Sequence, residues 1–211
     1  MLHLMRLIGD VDLQDDIYEF WKNNSLTNIK PEIGKEFPEG WNVVEFFKKF
    51  ISPEDYGETI EIGCGYGRLC KAFDPYNYTG IDISPDAIKQ ASLLYPEYEF
   101  ELITEKRLKR LYPHSRTKLL YKVLLHQSDE DIDSCIENLC ETSRRIIVAE
   151  ICGRDWRRRG NPPVFNRTPE EYDIMFSKYG RGMSTLVKKP YDRYKNSNKS
   201  DTDLSIMVFE D

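Results

Sequence analysis

Thr59-Ile60-Glu61-Ile62-Gly63-Cys64-Gly65-Tyr66-Gly67-Arg68-Leu69 is the stretch on which the reading of this chain turns. A β-prone run carrying one acid ends in three alternating glycines and passes into helix-like sequence. The pattern predicts a strand, a tight turn and the start of a helix. Glycines in such a turn let backbone N–H groups approach a ligand, and a following helix N-terminus favours an anion. A dinucleotide-binding turn requires G-x-G-x-x-G. Here Arg68 occupies the place of the third glycine, and Gly67 comes one residue early. The spacing therefore disfavours a nicotinamide-type site.

Outward from this turn the chain alternates strand and helix. Strands are expected over residues 58–62, 78–83, 98–103, within 119–125, and over 145–151. A short helix is expected over 67–73. Ser84-Pro85-Asp86 reads as an N-cap, a first-turn proline and a first-turn acid. The apolar face that follows is Ala87, Ile88, Ala91 and Leu94. Ser128-Asp129-Glu130-Asp131 looks like a capping box before Ile132, Cys135, Ile136 and Leu139. Thr168-Pro169-Glu170-Glu171 opens another helix, which Gly180 ends. Residues 183–188 and 204–209 form two final strands with no crossover helix between them, so they are read as antiparallel. Upstream, Leu13, Ile17, Phe20 and Trp21 share one helical face, and Trp41, Val44, Phe47 and Ile51 share another.

This order predicts an α/β fold: one Rossmann-like domain with a seven-stranded, mostly parallel sheet, a C-terminal antiparallel hairpin and N-terminal helices. Residues 1–57 are read as a helical extension that covers cofactor and substrate, and residues 58–211 as the core. The E-x-G-x-G-x-G pattern and the strand order resemble the class I S-adenosylmethionine (SAM) dependent methyltransferases over roughly residues 58–211. The resemblance implies SAM as cofactor, held by Glu61, Gly63, Cys64, Gly65, Gly67, Asp82, Ile83, Glu105 and Tyr121. It places Glu61 near the methionine ammonium. Asp82 ends the second strand about 20 residues past the first glycine, where a carboxylate can accept both ribose hydroxyls. Ile83 follows for the adenine, and Glu105 is a displaced match to the acid that holds the adenine amine.

Two segments are expected near the transferred methyl group. Tyr121-Lys122-Val123-Leu124-Leu125-His126-Gln127 resembles the family segment after the fourth strand, and His126 is the candidate general base because imidazole titrates near neutrality. Residues 152–167 hold five arginines with Trp156 and Phe165. Arg154, Trp156, Arg157 and Phe165 are the candidate acceptor contacts, able to pair with phosphate or carboxylate and to stack on a ring. The expected activity is methyl transfer to a small molecule, such as a sugar hydroxyl or an anionic metabolite. The alternatives are a nucleic-acid or protein N-methyltransferase, to which Asn161-Pro162-Pro163-Val164-Phe165 bears a distant likeness, and a non-catalytic SAM-binding module.

Composition bounds these readings. At 211 residues and 40% hydrophobic content the chain can bury a substantial core. A net charge of −6 argues against a surface that binds nucleic acid throughout. No apolar run approaches the roughly 20 residues of a membrane span, and the first residues lack a basic signal-peptide region. Five cysteines without a C-x-x-C pair read as reduced, buried thiols. A cytoplasmic protein with no metal site is the resulting expectation. The oligomeric state is not encoded in any visible pattern.

Overall fold

The computed structural model describes residues 17–23, 42–51, 57–104, 113–153, 164–190 and 203–211. Its centre is a seven-stranded sheet of β1 (Thr59–Ile62), β2 (Tyr78–Asp82), β3 (Glu99–Leu102), β4 (Ser115–Tyr121), β5 (Ser143–Ile151), β6 (Gly182–Pro190) and β7 (Asp203–Glu210). The strand order is β3-β2-β1-β4-β5-β7-β6. The first five strands run parallel. β7 inserts antiparallel between β5 and β6. The order reverses between β1 and β4, so the carboxyl ends of these two strands frame the crevice where open α/β sheets bind ligands.

Helices α1 (residues 17–23), α2 (Val43–Phe50), α3 (Pro85–Leu94), α4 (Ile132–Thr142) and α5 (Pro169–Ser177) surround the sheet. Their starts follow the local chemistry. The Ser84 hydroxyl accepts from Ala87 N–H at α3, and Thr168 and Glu171 form a reciprocal capping box at α5. Asn42 caps α2 by accepting from Val44 and Glu45 N–H. Alternation along the strands divides the core in two. Ile146, Val148 and Leu120 face Ile136, Leu139, Tyr172 and Phe176 of α4 and α5. Ile147, Ala149, Leu119 and Tyr121 face Val43 and Phe47 of α2. All five cysteines are free thiols, and four are buried.

Two expectations are corrected. The helix expected over 67–73 is absent: after the glycines the chain makes turns and one 3-10 turn, Cys70–Ala72. Gly67 has φ +80°, and Asp74-Pro75 opens a second 3-10 turn, which leaves too few residues between them for an α-helix. β4 begins at Ser115, before the expected position, and ends at Tyr121. Lys122 adopts φ +58°, a left-handed conformation that turns the chain out of the strand. No helix among the described residues is long and apolar enough to cross a membrane.

Candidate active site

Glu61, the third residue of β1, is 2% exposed, and its Oε2 accepts the Tyr78 hydroxyl at 2.5 Å. Burial drives its pKa up to about 8, opposed by the Tyr78 hydrogen bond and by the Arg68 guanidinium. At neutral pH this acid is largely protonated, and an incoming cation would favour its ionised form.

The glycine loop does not work as a bare donor cradle. Gly63 and Cys64 N–H both donate to the Ile81 carbonyl, at 2.8 and 3.1 Å, and Gly67 N–H donates to Cys64 O. Gly65 N–H donates to Asp82 Oδ2 at 2.8 Å. Three of these donors are turned toward β2 and the fourth closes the loop on itself, and no α-helix dipole stands behind them. What the loop supplies is clearance. Gly65 sits at φ +57°, and a Cβ there would meet nothing within 4 Å. Gly63, at φ +73°, is instead crowded: a Cβ would lie 2.6 Å from Val123 Cγ2. The glycine loop and the chain leaving β4 are therefore packed directly against each other.

Asp82 is 8% exposed. Its Oδ1 accepts from Ser84 N–H at 2.9 Å and its Oδ2 from Gly65 N–H. Burial raises its pKa while these backbone bonds oppose the rise. Two backbone donors fix the carboxylate, and a carboxylate retains further acceptor capacity on both oxygens. Ile83 is partly buried against the larger core cluster. Cys64 is 3% exposed, with its Sγ 2.9 Å from where a Gly80 Cβ would stand, so the thiol packs toward β2.

Tyr121 closes β4 between two cations. The Arg68 guanidinium and the Lys122 ammonium each lie 5.0 Å from its ring centroid. His126 ends the 3-10 turn Leu124–His126, its N–H bonded to Val123 O at 3.0 Å. Its ring lies 4.6 Å from that of Trp21 on α1, tilted by 56°. Of the segment after β5, Phe165 is described, and its N–H donates to Leu125 O at 2.7 Å beside His126. Glu105, Arg154, Trp156, Arg157 and Asn161 to Pro163 lie outside the described residues.

The segment that carries His126 is held by two residues not expected from the sequence. Glu150 Oε1 accepts from Val123 and Leu124 N–H at 2.8 and 2.7 Å. Arg167 is fully buried and donates to the carbonyls of Phe165, Gln127 and Ser128, with an ion pair to Asp129 at 2.7 Å. Arg167 is one of the five arginines expected to meet an acceptor, and the structure commits it to this loop instead. Glu150 carried a legible signal: a lone acid in Val148-Ala149-Glu150-Ile151 at a strand end, the same setting as Glu61.

This strand order and carboxyl-edge site are those of the class I methyltransferase fold. Residues 60–137 match the family described as a methyltransferase domain. Protein Rv1506c of Mycobacterium tuberculosis, provisionally named a methyltransferase, is 27% identical over 106 residues. That match covers 46% of this chain and 64% of the relative, a little under two thirds of its length. The fold is shared with magnesium protoporphyrin IX methyltransferase from Synechocystis PCC 6803, solved with bound SAM. The TM-score is 0.66 at 14% identity, covering 96% of this chain and 99% of that one. It is shared too with NcsB1, an O-methyltransferase from neocarzinostatin biosynthesis solved with SAM and a naphthoic acid. There the TM-score is 0.60 at 14% identity, over 77% of this chain and 51% of that one.

Proposed function

We propose that this chain binds SAM at the carboxyl edge of β1, β2 and β4 and transfers its methyl group to a small hydroxylated acceptor. The observation that carries the reading is the placement of two buried acids around an open glycine loop. Glu61 is buried and poised to ionise beside a cation, Asp82 is fixed by Gly65 and Ser84 N–H, and clear space stands above Gly65.

In this reading Glu61 faces the ammonium of the amino-acid end, and Asp82 accepts the ribose hydroxyls. Ile83 packs on the adenine, with Glu105 as the proposed partner of its amine. Because the loop amides are turned inward, Arg68 is the cation available for the carboxylate. The cofactor, when bound, supplies an electrophilic methyl group on a sulfonium. The chain's own contribution is to align the acceptor, exclude water and accept a proton. His126 is the group that takes the hydroxyl proton. Residues 1–57 act as a cover, with α1 laid against His126, and Arg154, Trp156, Arg157 and Phe165 complete the acceptor side.

Relatives sharing the fold support this choice of cofactor, since two are solved with SAM, and NcsB1 is an O-methyltransferase. Calorimetry with SAM on the wild type and on Asp82→Ala is the test. Wild-type binding should weaken by about 100-fold or more in the variant, the equivalent of two charge-assisted hydrogen bonds. No SAM binding by the wild type would end the proposal.

A further inference from the structure

We propose that Trp21 is a specificity-determining residue for the methyl acceptor, its indole N–H donating to an oxygen of that molecule beside the His126 ring. The inference rests on the methyl-transfer reading above, and it assigns a role that neither the fold nor the glycine motif supplies.

Helix α1 lays one face against the body of the protein. Ile17 on that face is 4% exposed, while Glu19, Lys22 and Asn23 on the other face bond one another in solvent. Trp21 is fixed from two sides. Phe20 meets its ring edge-on at 5.3 Å and 87°, and His126 lies 4.6 Å away. Its Nε1 is buried and has no hydrogen-bond partner among the described residues. Buried polar groups in native proteins are nearly always paired, and an isolated one calls for a reason. Packing gives none. A phenylalanine would fill much of this space and carry no donor, so the indole nitrogen is the part of Trp21 that packing leaves unexplained.

Its location gives the reason. The segment carrying His126 leaves β4 through Val123, which packs against Gly63 of the glycine loop. The Trp21 ring therefore stands beside the ring of the proposed base. A donor there suits an acceptor whose carbonyl, carboxylate or second hydroxyl oxygen lies near the hydroxyl being methylated.

Trp21→Phe tests this, since it removes the N–H and keeps an aromatic ring. Urea denaturation comes first and needs no acceptor. The smaller ring lowers the midpoint through lost packing whether or not the N–H is paired, so this step establishes only that the variant folds. Kinetics come second, with SAM and whichever of hydroxybenzoate, catechol or glucuronate the wild type methylates. A contact made equally in the bound and transition states should appear as a KM raised about tenfold with kcat little changed. The Kd for S-adenosylhomocysteine should not move. An unchanged KM with intact S-adenosylhomocysteine binding overturns the Trp21 role alone. Failure of the wild type to bind S-adenosylhomocysteine, or to methylate any of the three probes, overturns the reading beneath it.

Discussion

Glu150→Gln should flatten the dependence of stability on pH. Glu150 is fully buried, its Oε1 takes two backbone N–H groups, and its Oε2 has no hydrogen-bond partner among the described residues. Burial raises its pKa to about 8, against which the Leu124 and Val123 N–H groups pull downward. The folded protein thus holds a proton that the unfolded chain, titrating near 4.5, has released. A raised acid pKa makes stability greatest below the unfolded value and lost as pH climbs toward the folded one. The slope is about 1.4 kcal/mol per pH unit. Between about pH 5.5 and about pH 8, Glu150 alone should therefore cost the wild type about 3 kcal/mol. Glutamine keeps an Oε1 for the two N–H groups and cannot ionise. Its amide adds buried donors, which shift stability by a constant and leave the slope unaffected. Urea denaturation at the two pH values reads the difference. The variant should gain about 3 kcal/mol relative to wild type on going to the higher pH, or about 6–12 °C in Tm for a domain of this size. A gap between the two proteins that stays constant with pH would refute the reasoning. It would mean that Glu150 is ionised in the native protein, with Lys122 as the nearby cation.

Arg68→Ala should weaken S-adenosylhomocysteine by about 10–100-fold, the value of one charge-assisted pair. It should leave methylthioadenosine, which lacks the amino-acid end, unaffected in the same calorimeter. Equal losses for both ligands would show that Arg68 serves only to pack on Tyr121. Gly63→Ala should destabilise by about 2 kcal/mol or more, because it sets a Cβ in a left-handed backbone and 2.6 Å from Val123 Cγ2. Adding Val123→Ala should return the steric part and not the backbone part, so a full recovery or none would contradict this origin.

The sheet was legible because its signals are local and repeated. Capped helix starts at Ser84 and Thr168 and apolar runs at β2, β5 and β7 all agree with the final order. What escaped reading depends on partners distant in sequence. The start of β4, Ser115-Arg116-Thr117-Lys118, reads as polar loop, yet Lys118 is fully buried. Its Nζ donates to Thr142 O and Oγ1 at 2.7 and 2.6 Å, so the strand buries an amine whose hydrogen-bond partners come from α4. The glycine loop misled for the same reason. Its spacing speaks of open backbone, but whether its N–H groups face a ligand or a strand is decided by Ile81 and Asp82 on β2. Glu61 and Asp82 are marked in the sequence by strand end and spacing, and the structure buries both at the carboxyl edge of the sheet. Arg167 was misassigned because an arginine in a basic stretch gives no sign of which carbonyls lie beneath it.

Glu61 and Glu150 show how two acids with the same local sequence setting and the same raised pKa can be told apart. Both stand near the carboxyl ends of central strands, both are fully desolvated, and both rise to about 8. Their partners differ. Glu150 is engaged by two main-chain N–H groups of the segment that carries His126, so its oxygen is occupied by structure and its neutral form suffices. Glu61 is engaged by a side chain, Tyr78, and its charge balance is set by Arg68 on one side and Asp82 on the other. An ammonium beside Glu61 would draw off its proton and stabilise the charge, whereas two N–H groups already occupy Glu150 Oε1. The acid bonded to main chain holds the His126 loop in shape, and the acid bonded to a side chain beside the open glycine loop is the one we propose meets the cofactor.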